Sequence, residues 1–325
     1  MAQKSGVAGI AAALLCAAVA SGASGQSYPA KAIRMVVPYP PGGGADLLGR
    51  PIAQALGDKL GQSVLVDNRG GATGMIGTEI VVKSPADGYT LLMASSAEIA
   101  LNVAVYSKMA YNPERDLAAV TQVASSPLVL VIHPSLPTRN VKEFIALAKR
   151  RPGEIGYATA GAGSPHNIAG EWMKLIAKID IIHVPYKGGG PQLIDLMGGH
   201  VSSGFLVLPV VAPHLKTGRL RALAVSSLKR SPAIPDVPTL DESGVPGLDV
   251  TQWWGVLMPA GTPRDIIVRL HGEITEAIKL PNVKALMGDL GAEPVGSSPE
   301  QFSDFVRAEI AKFRNVTKQA NIRVE

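Results

Sequence analysis

The chain has 325 residues, 46% of them apolar and 18% charged, with a formal net charge of +5. An apolar share of that size excludes a disordered chain. The positive excess is small and spread along the sequence, and only 5% of residues are aromatic, so neither basic arms nor stacking platforms for nucleic acid are present.

In chain order, Lys4 precedes an apolar, alanine-rich run over 7–20, and the small residues Ala23-Ser24-Gly25 follow. This is the layout of a cleaved secretory signal, and the run is shorter than the roughly 20 residues a bilayer span needs. Residues 1–25 are expected to be removed, with cleavage between Ala20 and Gln26 and the mature chain in the periplasm. Cys16, the one cysteine, lies inside that run behind Leu15. Leucine is a poor residue before a lipidated cysteine, so the mature chain is expected to carry no thiol, no disulfide and no thiolate metal ligand.

The roughly 300 residues that remain suffice for two ordinary domains. Strands are expected at 33–37, 63–66 and 90–94, alternating with helices at 45–60 and 75–83. A second series follows: strands at 128–132, 155–158, 181–184 and 201–207, with helices at 141–150, 165–178 and 191–197 between them. This rhythm is that of an α/β protein with mostly parallel sheets flanked by helices. A strand at 223–225, a loop-rich stretch at 231–247, a strand at 253–258 and helices at 263–279 and 299–319 complete the chain. Thr262-Pro263 and Ser298-Pro299 place a capping side chain before a proline, and Gln301 completes a capping box with Ser298. Two lobes are expected: 28–124 together with 228–325, and 125–227. The strands at 128–132 and 223–225 are the expected crossings between them.

In open parallel sheets, ligands gather where strands hand over to helix N-termini. Two such junctions are rich in glycine. The first carries Tyr39, Gly42, Gly43, Gly44, Ala45 and Asp46; the second carries Thr159, Ala160, Gly161, Ala162, Gly163, Ser164 and His166. Backbone N–H groups can approach an anion closely there, helped by the helix dipole. Neither loop has the spacing of a dinucleotide or phosphate loop. Their location in different lobes points to a two-sided clamp on one small anion.

The sequence resembles the tripartite tricarboxylate transporter receptors, also called Bug or TctC-like proteins. The resemblance rests on 36–50, on Asp67-Asn68-Arg69-Gly70-Gly71-Ala72-Thr73-Gly74, and on Ser84-Pro85-Ala86-Asp87-Gly88-Tyr89-Thr90. It continues through 157–166, Val184-Pro185-Tyr186-Lys187-Gly188-Gly189, 221–227, Pro235-Asp236-Val237-Pro238-Thr239 and 254–263. It implies a two-lobed periplasmic-binding-protein fold of the Venus-flytrap, type II-like kind. It also implies a receptor that passes a small organic carboxylate to the membrane subunits of an ion-driven transporter. In such receptors main-chain donors of two loops hold the carboxylate, and by motif those loops are the two named above. A monomer without cofactor or metal is expected. A receptor that presents its ligand to a membrane sensor kinase is the alternative.

Other positions are weighed singly. Ser164 is an N-cap whatever else it does, His166 is expected to face the cleft, and Asp46 serves the helix dipole. Ser95 and Ser96 follow a strand and are placed to line the cleft, as more weakly are Ala72 and Thr73. Trp253 and Trp254 read as core or hinge packing. Family members often carry acids where this chain has Ser202 and Leu206, which disfavours an ammonium-bearing ligand. The expected ligand is a plain organic acid, aromatic or partly apolar, packed near Tyr39, Phe205 and Leu206. Catalysis is disfavoured: no nucleophile elbow or zinc-binding helix motif occurs, and Ser164 and His166 are two apart at a helix start, pointing in different directions.

Overall fold

The computed structural model describes residues 28–186, 188–289, 291–320 and 322. The expected signal segment, its cleavage site and Cys16 lie outside these residues, as does the side chain of Lys187.

The first part of the chain runs β1 (Ile33–Val37), α1 (Gly44–Leu60), β2 (Val64–Asn68), α2 (Met75–Val82) and β3 (Thr90–Ser95). A wide helical turn, Ala97–Leu101, leads into α3 (Asn102–Val105), and α4 (Pro113–Asp116) precedes the long β4 (Leu117–Ile132). The second part holds α5 (Val141–Arg150), β5 (Gly156–Thr159), α6 (Pro165–Ala177), β6 (Ile182–Pro185), α7 (Gly189–Met197), β7 (Ser203–Val207), α8 (Leu208–Lys216) and β8 (Arg221–Val225). The chain ends with β9 (Thr251–Pro259), α9 (Arg264–Lys279), α10 (Pro281–Asp289), β10 (Glu293–Pro294) and α11 (Pro299–Gln319).

The strands lie in the order β2-β1-β3-β9-β4-β7-β5-β6. The outer pairs β1–β2, β1–β3, β5–β6 and β5–β7 are parallel. The centre departs from the mostly parallel expectation, because β9 runs antiparallel to both β3 and β4, and β4 runs antiparallel to β7 and β8. β4 is shared: its stretch from Leu117 to Pro127 pairs with β9, and Leu128 to Ile132 pairs with β7 and β8. Ser226 fastens this junction. Its hydroxyl accepts from the Leu128 N–H at 3.0 Å and donates to the Val250 carbonyl at 2.5 Å.

Adjacent residues on β9 point to opposite faces, so Trp253 and Trp254 enter different cores. Trp253 is fully buried, edge-on to Phe302 and Phe305, with its indole N–H on Glu309 at 3.1 Å. Burial of a side chain of this size stabilises by roughly 1.5–3 kcal/mol. The Ser298 capping box forms as expected and starts α11. The Thr262 cap does not form. Pro263 keeps extended backbone, α9 begins at Arg264, and the Thr262 hydroxyl donates to the Pro259 carbonyl at 2.8 Å. Helix α8 was not foreseen, since Pro209 and Pro213 interrupt its pattern.

Candidate ligand site: two strand-to-helix loops

The first loop joins β1 to α1. Gly43 precedes the helix without any side-chain cap, so the first-turn N–H groups of Gly44, Ala45 and Asp46 carry no capping side chain. The loop is instead clipped from below by Asp46, which is almost wholly buried. Its carboxylate accepts from the Gly42 N–H at 2.9 Å and from Asn68 Nδ2 at 2.9 Å, and pairs with Arg50 at 2.8 Å. Asn68 Nδ2 also donates to the Tyr39 carbonyl at 3.0 Å. Burial works against the charge of Asp46, but the bonds from Arg50, the Gly42 N–H and Asn68 outweigh it and hold the carboxyl below its usual range. Asp46 is therefore spent on the loop itself. Gly44 lies against Trp254, where a Cβ would sit 2.6 Å from the indole Cζ2.

Tyr39 and Ser95 meet beneath this loop. Both hydroxyls donate to Glu98 Oε2 at 2.7 Å, and the Ser95 N–H donates to Oε1. Gly74 closes the cluster: a Cβ there would lie 3.1 Å from both Glu98 Oε2 and the Tyr39 hydroxyl. Ala72 and Thr73, at φ 47° and 51°, curve the adjoining turn, and Asn102 Nδ2 holds the Thr73 carbonyl at 3.0 Å. Burial pushes the Glu98 carboxyl up to about 7, against the hydrogen bonds from Ser95 and Tyr39 that favour its charge. Burial likewise raises the Tyr39 hydroxyl well above its usual value.

The second loop joins β5 to α6 and is satisfied from within. The Ala160 N–H donates to His166 Nδ1 at 3.2 Å, the Gly161 N–H to Thr159 Oγ1 at 3.2 Å, and the Gly163 N–H to Asn167 Oδ1 at 3.1 Å. Ser164 caps α6, accepting from the Asn167 N–H at 3.3 Å and donating to the Gly161 carbonyl at 2.6 Å. Asn167 continues inward to the Tyr157 hydroxyl at 3.1 Å. Thr159 Oγ1 lies 2.7 Å from His183 Nε2. The expectation that His166 faces the cleft is corrected: the imidazole is buried, 7% exposed, under the loop it supports. Burial drives it down to about 4, with Gln192 opposing, so it stays neutral near pH 7.

One further expectation is corrected. Phe205 and Leu206, at 0% and 1% exposure, are core residues. Neighbours on β7, they enter different clusters on opposite faces of the sheet and offer no surface to a ligand. Ser95 and Ser96 are both buried, at 3% and 0% exposure, and the Ser96 hydroxyl has no partner among the described residues. The structure thus gathers Tyr39, Gly42–Asp46, Ala72, Thr73 and Ser95 into one group, and Thr159–His166 into another. Sequence reasoning missed Glu98, whose signal was a lone acid in an apolar stretch after a strand, and Asn68, Asn167 and Gln192. A groove of about 610 Å³ along α1 and β2 includes none of the loop residues.

The Ser164 hydroxyl is engaged with Gly161 and Asn167 and not with His166. Among the described residues no cluster of histidine, cysteine and acids could hold a metal, and no helix is long and apolar enough to cross a membrane. The model of the tripartite tricarboxylate transporter family receptor matches residues 48–322. The chain belongs to this receptor family. It is 40% identical over 310 residues to BugT of Bordetella pertussis, covering 95% of each chain. Among solved structures it resembles R. palustris Rpa4515 with adipate at TM-score 0.83 and 37% identity, over 91% of this chain and 99% of that one. MatC from Rhodopseudomonas palustris, with bound malate, matches at TM-score 0.79 and 29% identity, over 89% and 99%. Members of the family are substrate-binding receptors and not enzymes, and their fold is the two-lobed one of periplasmic binding proteins.

Proposed function

We propose that this receptor works in the periplasm, captures a small aliphatic carboxylate between its two lobes and delivers it to the membrane subunits of a tripartite tricarboxylate-type transporter. The observation that carries the reading is the uncapped start of α1, which offers several backbone donors and no cationic side chain. Arg50, the nearest cation in that helix, is taken up by Asp46 and Asn68. Backbone donors recognise a carboxylate without a fixed buried counter-charge that each cycle would have to desolvate. The adipate and malate of the two solved relatives support a small carboxylate as the class of ligand.

In this reading the lobes are 28–124 with 228–325, and 125–227. The ligand touches Tyr39, Gly42–Asp46, Ala72, Thr73 and Ser95 from one lobe and Thr159–Ser164 from the other. Closure about the β4 junction brings the two loops onto opposite sides of the anion, and the extra contacts of the closed form set the balance. A thermal-shift screen with adipate, malate, monocarboxylates and amino acids tests this. Ligand binding to the native state alone raises the melting point. Shifts confined to carboxylates without an ammonium group are expected, and shifts confined to amino acids would refute the reading.

A further inference from the structure

Glu98 is wholly buried, yet it forms no ion pair among the described residues. Its carboxylate is hydrogen-bonded only by neutral groups. Tyr39 comes from the first loop, Gly74 from the turn before α2, and Ser95 from the end of β3. Tyr111, from the segment before β4, donates its hydroxyl to the Glu98 backbone carbonyl at 2.7 Å. From α11, which packs on the Glu98 turn, Glu309 and Lys312 are paired with each other and engaged by Trp253 and Asp249.

Hydrogen counting then gives two states. Tyr39 and Ser95 own one hydroxyl hydrogen each. With Glu98 ionised, both hydrogens are spent on Oε2; Ser95 Oγ accepts from the Ala97 N–H at 3.4 Å, and the two hydroxyl oxygens, 3.3 Å apart, have no hydrogen left to offer a ligand. A carboxylate arriving there meets repulsion. With Glu98 protonated, its O–H donates to one of the two hydroxyl oxygens, and the hydrogen of that hydroxyl turns outward as a donor. We propose that Glu98 takes up one proton from solvent when a carboxylate binds at Tyr39 and Ser95, so that the receptor captures anion and proton together.

This rests on the preceding assignment of the first loop as a carboxylate site. Burial pushes Glu98 up to about 7, which places the exchange in the neutral range. The buried cluster then gains no net charge when the ligand arrives, and so avoids the cost of two unpaired carboxylates in one place.

Calorimetric titration of the mature chain with adipate, in phosphate and in Tris buffer, counts the protons taken up. The expected result at pH 8 is an uptake approaching one proton per adipate, with binding about tenfold weaker at pH 8 than at pH 6. In Glu98→Gln the amide supplies the donor permanently, so uptake vanishes and affinity is the same at both pH values. Tyr39→Phe keeps the ring but removes one donor to Glu98, which protonates it before the ligand arrives and lowers uptake at pH 7. Adipate binding without proton uptake, or uptake that persists in Glu98→Gln, overturns the proposal. Absence of both heat and thermal shift with adipate, malate and monocarboxylates at either pH removes the carboxylate assignment beneath it, and the proposal with it.

Discussion

The two loops look alike in sequence and are built on opposite plans. The first is open at its helix start and is anchored from below by acids, Asp46 and Glu98. The second has its N–H groups turned inward onto a neutral network of His166, Asn167 and Thr159. The first can therefore offer donors to an anion at once. In the proposed reading, the second would exchange internal bonds for ligand bonds, so its contribution would belong to the closed state. Glycine content alone does not reveal this difference, because it depends on which side chains fold back under each loop.

The largest effect is expected from Gly44→Val. The added side chain collides with Trp254, and displacement of the loop should weaken adipate binding by about 100-fold, beyond the 1–3 kcal/mol typical of overpacking. Titration calorimetry beside a melting curve separates the two consequences. Gly161→Val has a milder clash, 3.3 Å to the Tyr186 carbonyl, but imposes a side chain on a backbone at φ +132°. Equal losses from both variants would erase the proposed asymmetry between the loops.

The networks should also tilt stability in opposite directions with pH. His166 is depressed from 6.5 to about 4, so its contribution is complete above pH 6.5 and is lost as pH falls toward 4. At pH 4 that loss is on the order of 2–3 kcal/mol. Glu98 is raised from 4.5 to about 7, so its contribution is complete below pH 4.5 and is lost as pH rises through 7. Denaturant midpoints measured across pH should show both slopes. His166→Gln should flatten the acid one and Glu98→Gln the neutral one.

Asp46→Asn is next in size. It leaves the Gly42 N–H and Arg50 with a poorer partner at a buried position, a cost of about 1–3 kcal/mol. Because the folded carboxyl titrates below 3.8, the gap between wild type and variant should be present above that pH and close as the acid limb is descended. The smallest effect is expected from Ser164→Ala, about 1 kcal/mol for the loss of an N-cap, read from the denaturant midpoint.

Much of the framework was legible. β1, α5 and α11 begin and end where the apolar period and the Ser298 capping box place them, and both loops were located from strand-to-helix order and glycine. The length of β4 was not, because Pro127 divides a run that tertiary pairing makes continuous. Phe205 and Leu206 cannot both face one ligand, because strand alternation sends neighbours to opposite faces. The burial of Glu98 is decided by three segments distant in sequence, Tyr39, Gly74 and Tyr111, and no local pattern announces it. His166 was misplaced for the same reason: the loop closes over it.

The position of β9 has a consequence for the birth of the molecule. Leu92 of β3 pairs with Leu257, and Ala119 of β4 pairs with the same residue, so one late strand fills a gap between two early ones. Until more than 250 residues have been made, β3 and β4 are raw edges with apolar faces, the kind that recruit other chains. The wait for such a distant partner makes assembly slow. A nascent chain interrupted before Thr251 should therefore aggregate, while addition of the missing C-terminal segment in trans would be the natural way to rescue it.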